Sequence, residues 1–315
     1  MSLWLITLIF ILSSIALVKS GTWLVKSLTR IARFLKWREF TVAFILMAFA
    51  TSIPELFVGI TSGLQLEPEL SFGNVIGSNI INLTLVVAVV ALLAKGLNLK
   101  QALVRESGIY TMIIAFLPVL LLLDGAISRM DGLVLFLGLA FYLSQLKEQE
   151  AKFTKEITDE LEKGWSGFKS FFQDIGLFVA STIIILVAAH GIVLSATSLV
   201  AFSPFSIASV GILIVALGTG LPELIFGLQA VNLDQQEMIM GGIMGSVVSN
   251  STLVLGTTVL IHPLRVVNYH PYLIGIAFTV LTITAFTYFS RTDQEINQGE
   301  ALGLLVVYVL FAAIQ

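Results

Sequence analysis

The sequence predicts an all-α membrane protein of ten transmembrane helices, arranged as two inverted five-helix repeats. Three observations predict it. Hydrophobic residues make up 57% of the 315 and charged residues 12%, with a mean hydropathy of +0.97; soluble domains run at about 45–50% apolar and about 25% charged. Apolar runs approaching the roughly 20 residues that a spanning helix needs recur ten times. Residues 51–86 also return, altered but recognisable, at 219–254. The composition excludes a soluble globular domain and a disordered chain. With 17 basic against 20 acidic residues there is no positive field to attract phosphates, which excludes a nucleic-acid binder. No cysteine is present, so neither a disulfide nor a thiolate metal centre can form.

Taken in order, the spans fall at about 3–25, 40–64, 71–94, 104–123, 131–147, 173–198, 205–231, 237–261, 271–290 and 298–314. Runs of this length favour helices over a barrel, whose strands are shorter and alternate. The chain opens Met1-Ser2-Leu3-Trp4 with no preceding basic residue, so the first span is expected to be retained rather than cleaved as a signal peptide. Lysine and arginine set orientation. The first loop holds Lys26, Arg30, Arg33, Lys36 and Arg38; the third holds Lys95, Lys100 and Arg105; the fifth holds Lys147, Lys152, Lys155, Lys163 and Lys169; the ninth holds Arg291. The even loops hold only Arg129 and Arg265. Odd loops are therefore expected in the cytoplasm and both termini outside a cell membrane. The fifth loop mixes Lys and Glu, then carries Trp165, Phe168, Phe171 and Phe172. It reads as a cytoplasmic linker with a short surface helix. It divides the chain into a first repeat over 1–147, a linker over 148–172 and a second repeat over 173–315.

The repeat aligns without a gap at an offset of 168, with 13 identities in 36 positions. Shared composition would match leucines and valines. Here the polar residues match: Thr51 with Thr219, Pro54 with Pro222, Glu55 with Glu223, Ser78 with Ser246 and Asn82 with Asn250, beside Gly59 with Gly227 and Gly77 with Gly245. Five spans per half is an odd number, so the second half enters the membrane from the opposite side. Inverted repeats with a site at their interface are a recurrent transporter architecture.

Glu55 and Glu223 lie inside apolar spans. A charge at the bilayer centre costs about 2.5–3.5 kcal/mol on insertion scales, and no lysine or arginine lies at matching depth. A bound cation or protonation is left as compensation; two protonated acids bonded across a helix interface would be the purely structural alternative. A proline precedes each glutamate and leaves the carbonyl four residues back without its helical donor. Those carbonyls belong to Ala50 and Gly218. Ser78 and Ser246 stand 23 residues beyond the glutamates, and Asn82 and Asn250 four beyond the serines, on the same helix face. Carboxylates, amide oxygens, hydroxyls and loosened carbonyls are all hard oxygen donors. They suit Ca2+, which takes 6–8 oxygens in flexible geometry, and would accept Na+; soft transition metals are disfavoured. Two carboxylates balance one Ca2+, two Na+ or two protons, and that equivalence is the physical basis of exchange. The second, third, seventh and eighth spans would form this ion site.

These residues resemble the calcium/cation antiporter superfamily, in particular its prokaryotic sodium/calcium exchanger branch. TSIPE at 51–55 and TGLPE at 219–223 resemble its first repeated signature, GNVIGSNIIN at 73–82 its second, and GGIMGSVVSN at 241–250 is a looser copy. Arg30-Ile31-Ala32-Arg33 also resembles prokaryotic members. The resemblance implies a ten-helix inverted repeat with Glu55 and Glu223 as central Ca2+ ligands, assisted by carbonyls and hydroxyls of Thr51 and Thr219. It implies that Ser52, Ser78, Ser246 and Asn82 line neighbouring sodium sites. Gly220 stands where the branch often has serine, Asn250 where prokaryotic members can carry aspartate, and Ala50 where glycine is usual. The expected function is a secondary antiporter moving Ca2+ in exchange for Na+, with no prosthetic group, no enzymatic activity and a single chain as the transport unit. Proton coupling is the alternative within the same fold; a passive cation channel and an intramembrane acid-dyad hydrolase are more distant ones. Of the histidines, His262 and His270 are expected at the surface and His190 in the sixth span in a packing or hydrogen-bonding role.

Overall fold

A computed structural model describes residues 2–34, 52–98, 102–150, 165–202, 206–232, 236–266, 269–292 and 295–315. Helix α1 runs Leu3–Phe34 and α2 Ile53–Leu64. Next come α3 (Pro68–Ile81), a π-helical turn (Asn82–Val86) and α4 (Val87–Ala94) on one continuing axis, then strand β1 (Leu97–Asn98). Helix α5 (Ala102–Leu121), β2 (Ala126–Ile127) and α6 (Arg129–Glu150) complete the first half. The second half opens with α7 (Trp165–Val200), followed by α8 (Ile207–Val210), a π turn (Gly211–Val215), α9 (Ala216–Thr219) and α10 (Leu221–Asn232). It continues with α11 (Gln236–Ser249), a π turn (Asn250–Val254), α12 (Leu255–Ile261), β3 (Leu264–Arg265), α13 (His270–Thr292), β4 (Glu295–Ile296) and α14 (Gln298–Ile314). Six helices are long and apolar enough to cross a membrane, and four shorter apolar helices accompany them among the described residues.

Two features depart in detail from the hydropathy reading. Helix α1 continues nine residues past the expected end at 25, to Phe34, because Lys26 and Arg30 are good helix formers and an aqueous helix extension exposes no unpaired backbone to lipid. Helix α7 starts at Trp165 rather than 173, so the aromatic cluster Trp165, Phe168, Phe171 and Phe172 belongs to the first turns of a long helix.

The windows Pro68–Ala94 and Ile239–Ile261 are each 83% buried, against 22–33% for the other four long spans. They are the two central helices, and α5, α6, α13 and α14 pack against them. Glycine makes their approach to neighbours possible. A Cβ on Gly73 or Gly77 would strike the carbonyl oxygens of Ala208 and Ile212 across the interface, and one on Gly211 would lie 2.5 Å from the Leu70 carbonyl. Small residues let backbones of membrane helices meet in this way. The main apolar cluster joins the halves: Ile81, Val86, Val87 and Val90 pack with Met240, Ile243, Met244 and Val247, closed by Ala301 and Leu304.

Helices α1 and α7 pack along each other at the periphery, tied by Arg30 Nε donating to Asp174 Oδ1 at 2.6 Å. Two antiparallel ladders cross between the halves. β1 pairs with β4, with Leu97 opposite Ile296, and β2 pairs with β3, with Ile127 opposite Leu264. Each half thus contributes one strand to each ladder.

Candidate functional site

The polar core of the molecule lies where α2, α3, α9, α10 and α11 converge. Both signature prolines open a helix: Pro54 is the second residue of α2 and Pro222 the second of α10, positions where a missing N–H leaves nothing unsatisfied. Glutamate follows each within the first turn, where the exposed amides of a helix start favour an anion. Between α9 and α10 the helix is interrupted at Gly220. Gly218, one of the predicted carbonyl donors, sits buried beside this break, and the residue four ahead of it is Pro222, which has no N–H to give. The other, Ala50, and the hydroxyl of Thr51 lie outside the described residues.

Glu55 is 0% exposed and Glu223 3%, and they are close enough for their charges to interact. Ser246 Oγ donates to Glu223 Oε1 at 3.0 Å. It receives Asn82 Nδ2 at 3.2 Å and Ser52 Oγ at 3.3 Å. Opposite, Thr219 Oγ1 donates to Asn74 Oδ1 at 3.0 Å, and Ser78 Oγ lies 3.5 Å from the same oxygen and 3.4 Å from Thr219 Oγ1. Among the described residues, no donor reaches Glu55 Oε1, Glu55 Oε2, Glu223 Oε2, Asn82 Oδ1 or Asn250 Oδ1. Buried oxygens without donors are costly, roughly 1–3 kcal/mol for a neutral group and more for a charged one. These five buried acceptors, with the amide nitrogens of Asn74 and Asn250 likewise unpartnered, are oxygen chemistry of the kind a hard cation accepts.

The geometry therefore brings together Glu55, Glu223, Ser52, Ser78, Ser246, Asn82 and Thr219; Asn250 and Gly218 are buried, and none of these contacts reaches them. Sequence reasoning overlooked Asn74, which bonds two of them. It also overlooked Asn79, whose Nδ2 donates to Ser251 Oγ at 2.8 Å, and the Ser71–Thr258 hydroxyl pair at 2.8 Å. Asn74, Ser78 and Asn82 are spaced four apart, and that single helix face was the available signal.

The π turns explain how the asparagines are aimed. They begin at Asn82 and Asn250, 168 residues apart like the sequence repeat. Within each, a duplicated threonine bonds back one turn: Thr84 Oγ1 donates to the Ile80 carbonyl, and Thr252 Oγ1 to that of Val248 at 2.6 Å. Such back-bonding competes with the backbone ladder and bends helices. π turns of this kind gather at functional sites.

A family model described as "Sodium/calcium exchanger protein" matches residues 5–146 and 174–315. The chain belongs to this family. Among exchanger relatives, "Sodium/calcium exchanger MaX1" of Methanosarcina acetivorans is 27% identical over 353 residues, covering 98% of this chain and 97% of its own. "Inner membrane protein YrbG" of Escherichia coli K12 is 28% identical over 269 residues, covering 82% of this chain and 81% of its own. A solved structure of the sodium-calcium exchanger NCX_Mj superposes with a TM-score of 0.69 at 24% identity, over 100% of both chains. This exchanger-family chain therefore has that fold, and it is a multi-pass membrane protein of a family of transporters.

His190 Nδ1 lies 3.0 Å from Gln65 Nε2, joining α7 to the end of α2. His262 follows the end of α12 and is half-buried, and His270 opens α13 and is exposed.

Proposed function

We propose that the chain is a secondary antiporter carrying Ca2+ across the membrane in exchange for Na+, built as ten spanning helices in two inverted repeats (1–147 and 173–315) with both termini outside. Glu55 and Glu223 carry the charge that selects Ca2+. Asn82 and Asn250 lend amide oxygens, Ser52, Ser78 and Thr219 lend hydroxyls, Ser246 holds Glu223 Oε1 in place, and Thr51, Ala50 and Gly218 complete the set. One observation supports this above the others: two buried carboxylates from opposite halves, with three of their four oxygens lacking any donor among the described residues. Leaving such a site empty and charged inside a membrane is costly. Passage between the two faces then requires a load, and a Ca2+ ion or two monovalent cations neutralise it equally. An acid dyad for hydrolysis would leave the duplicated asparagines without a role, and a passive channel would need no stoichiometric balance.

Protons are the rival counter-ion, because the same unpartnered carboxylate oxygens can take them up. Reconstituted protein loaded with Na+ should accumulate 45Ca2+ from outside, and an imposed pH gradient alone should not drive it. Glu55→Gln and Glu223→Gln should each reduce uptake by at least 100-fold. Uptake unaffected by either variant refutes the site, and uptake driven by protons without Na+ moves the assignment to the proton-coupled exchanger.

A further inference from the structure

We infer that Asn74 is a positioning residue for the monovalent cation, drawing the hydroxyl protons of Ser78 and Thr219 to its amide oxygen so that both hydroxyls offer lone pairs to the ion. The inference rests on the exchange function proposed above and assigns one half of the site a distinct task.

A hydroxyl can ligate a cation only when its proton is directed elsewhere, since it carries one donor and two lone pairs. Asn74 is 0% exposed, and its Oδ1 lies 3.0 Å from Thr219 Oγ1 and 3.5 Å from Ser78 Oγ. A carbonyl oxygen has two lone pairs, enough for both donors. Two other acceptors are near the Thr219 hydroxyl, the Ala216 carbonyl at 3.5 Å and the Glu55 carboxylate, and its contact with Asn74 at 3.0 Å is the one of ordinary hydrogen-bond length. That leaves the hydroxyl oxygens as neutral ligands, a set of low charge suited to a monovalent ion, beside the carboxylates that serve the divalent one.

The opposite half is built otherwise. At the repeat offset of 168 the counterpart of Asn74 is Gly242, which has no side chain to accept a proton. Ser246 instead gives its proton to Glu223 Oε1 at 3.0 Å, and its own oxygen receives Asn82 Nδ2 at 3.2 Å and Ser52 Oγ at 3.3 Å. Its lone pairs are both taken. The duplicated serines are therefore not equivalent: Ser78 stands ready for a cation while Ser246 is engaged with the carboxylate. Asn74 carries the difference, although it lies outside the duplicated set.

The test is performed on the full chain in proteoliposomes, reading two half-saturations for each variant: Na+ for Na+-driven 45Ca2+ flux, and Ca2+ for Ca2+/Ca2+ self-exchange. Asn74→Leu, near in size and without an acceptor, should raise the Na+ requirement about tenfold (1.4 kcal/mol) and shift the Ca2+ requirement less than threefold. Asn74→Asp keeps an acceptor oxygen at the same place, and should return the Na+ requirement to within threefold of wild type. Should Asn74→Leu not insert, Asn74→Ala carries the same expectation without bulk. Equal Na+ requirements in wild type and Asn74→Leu, or Na+ and Ca2+ requirements rising in parallel, overturn the inference while leaving exchange intact. A wild-type flux indifferent to Na+ overturns the sodium reading and this inference with it.

Discussion

Replacing Gly77 by alanine would place a methyl group where α3 meets the helical segment 207–219. Its Cβ would collide with the Ile212 carbonyl oxygen and lie 2.6 Å from the Ala216 Cβ. Carbon atoms rest at about 3.5–4.0 Å, so the helices must separate by roughly 1 Å. Backbone carbonyl and Cβ cannot rotate away, unlike the end of a long side chain. Residue 78 follows directly and Thr219 ends the opposing segment, so that opening is transmitted to the site. The Thr219–Asn74 hydrogen bond, now 3.0 Å, would lengthen past the limit of about 3.5 Å at which such a contact ceases to count. Ca–O distances vary over only about 0.3 Å, and misplacing a reacting geometry by 1 Å can reduce rates about 100-fold. Overpacking itself costs about 1–3 kcal/mol, which leaves a folded protein. Gly77→Ala is therefore expected to insert, to elute as wild type, and to lose 45Ca2+ uptake by on the order of 100-fold. Gly176→Ala is the matched control: a Cβ there meets nothing within 4 Å, and transport should be unchanged, with stability raised by about 0.5–1 kcal/mol. Uptake by Gly77→Ala within twofold of wild type would refute the claim that close backbone approach sets the site.

Two further expectations follow from features away from that contact. Thr84→Val and Thr252→Val remove the hydroxyls that bond back to Ile80 and Val248 but keep the β-branched shape; the Ca2+ half-saturation should rise about three- to tenfold with the melting temperature moved by only a few degrees, and Thr→Ser should restore it. A melting loss without an affinity change would show the hydroxyls to be structural only. At the mouth of α3, burial and then the neighbouring Glu69 raise the Glu67 carboxyl above the usual carboxylate range. The folded state thus holds its proton more tightly than the unfolded chain, so stability is greatest below the unfolded value and falls as pH rises through the folded one; Glu67→Gln should flatten that slope in thermal melts between pH 4 and 7, and an identical slope would contradict it.

The duplicated part of the site was legible in the sequence because a repeat copies residues in register. Glu55 with Glu223, Ser78 with Ser246 and Asn82 with Asn250 recur at one offset, and all six are buried. Where the halves have diverged, the offset gives no help. Asn74 faces Gly242, Asn79 faces Val247, Ser251 faces Leu83 and Thr258 faces Val90, so a search for matched polar residues passes over all four. The π turns were hidden for another reason: their widening is a property of the backbone ladder and has no composition of its own. The C-terminal end of α1 and the N-terminal end of α7 were misjudged in length because hydropathy marks where apolar residues stop, and a helix continues as long as its residues tolerate one.

The crossed ladders also constrain the order in which the protein can be made. Leu97–Asn98 leaves the ribosome long before Glu295–Ile296, its only strand partner among the described residues. The early half must therefore wait, one edge open, until residues 295–296 have been synthesised. A polypeptide ending short of residue 295 would keep that edge unpaired whatever else had inserted. The ladders make the two modules interdependent at birth, so that neither can be completed as a freestanding unit.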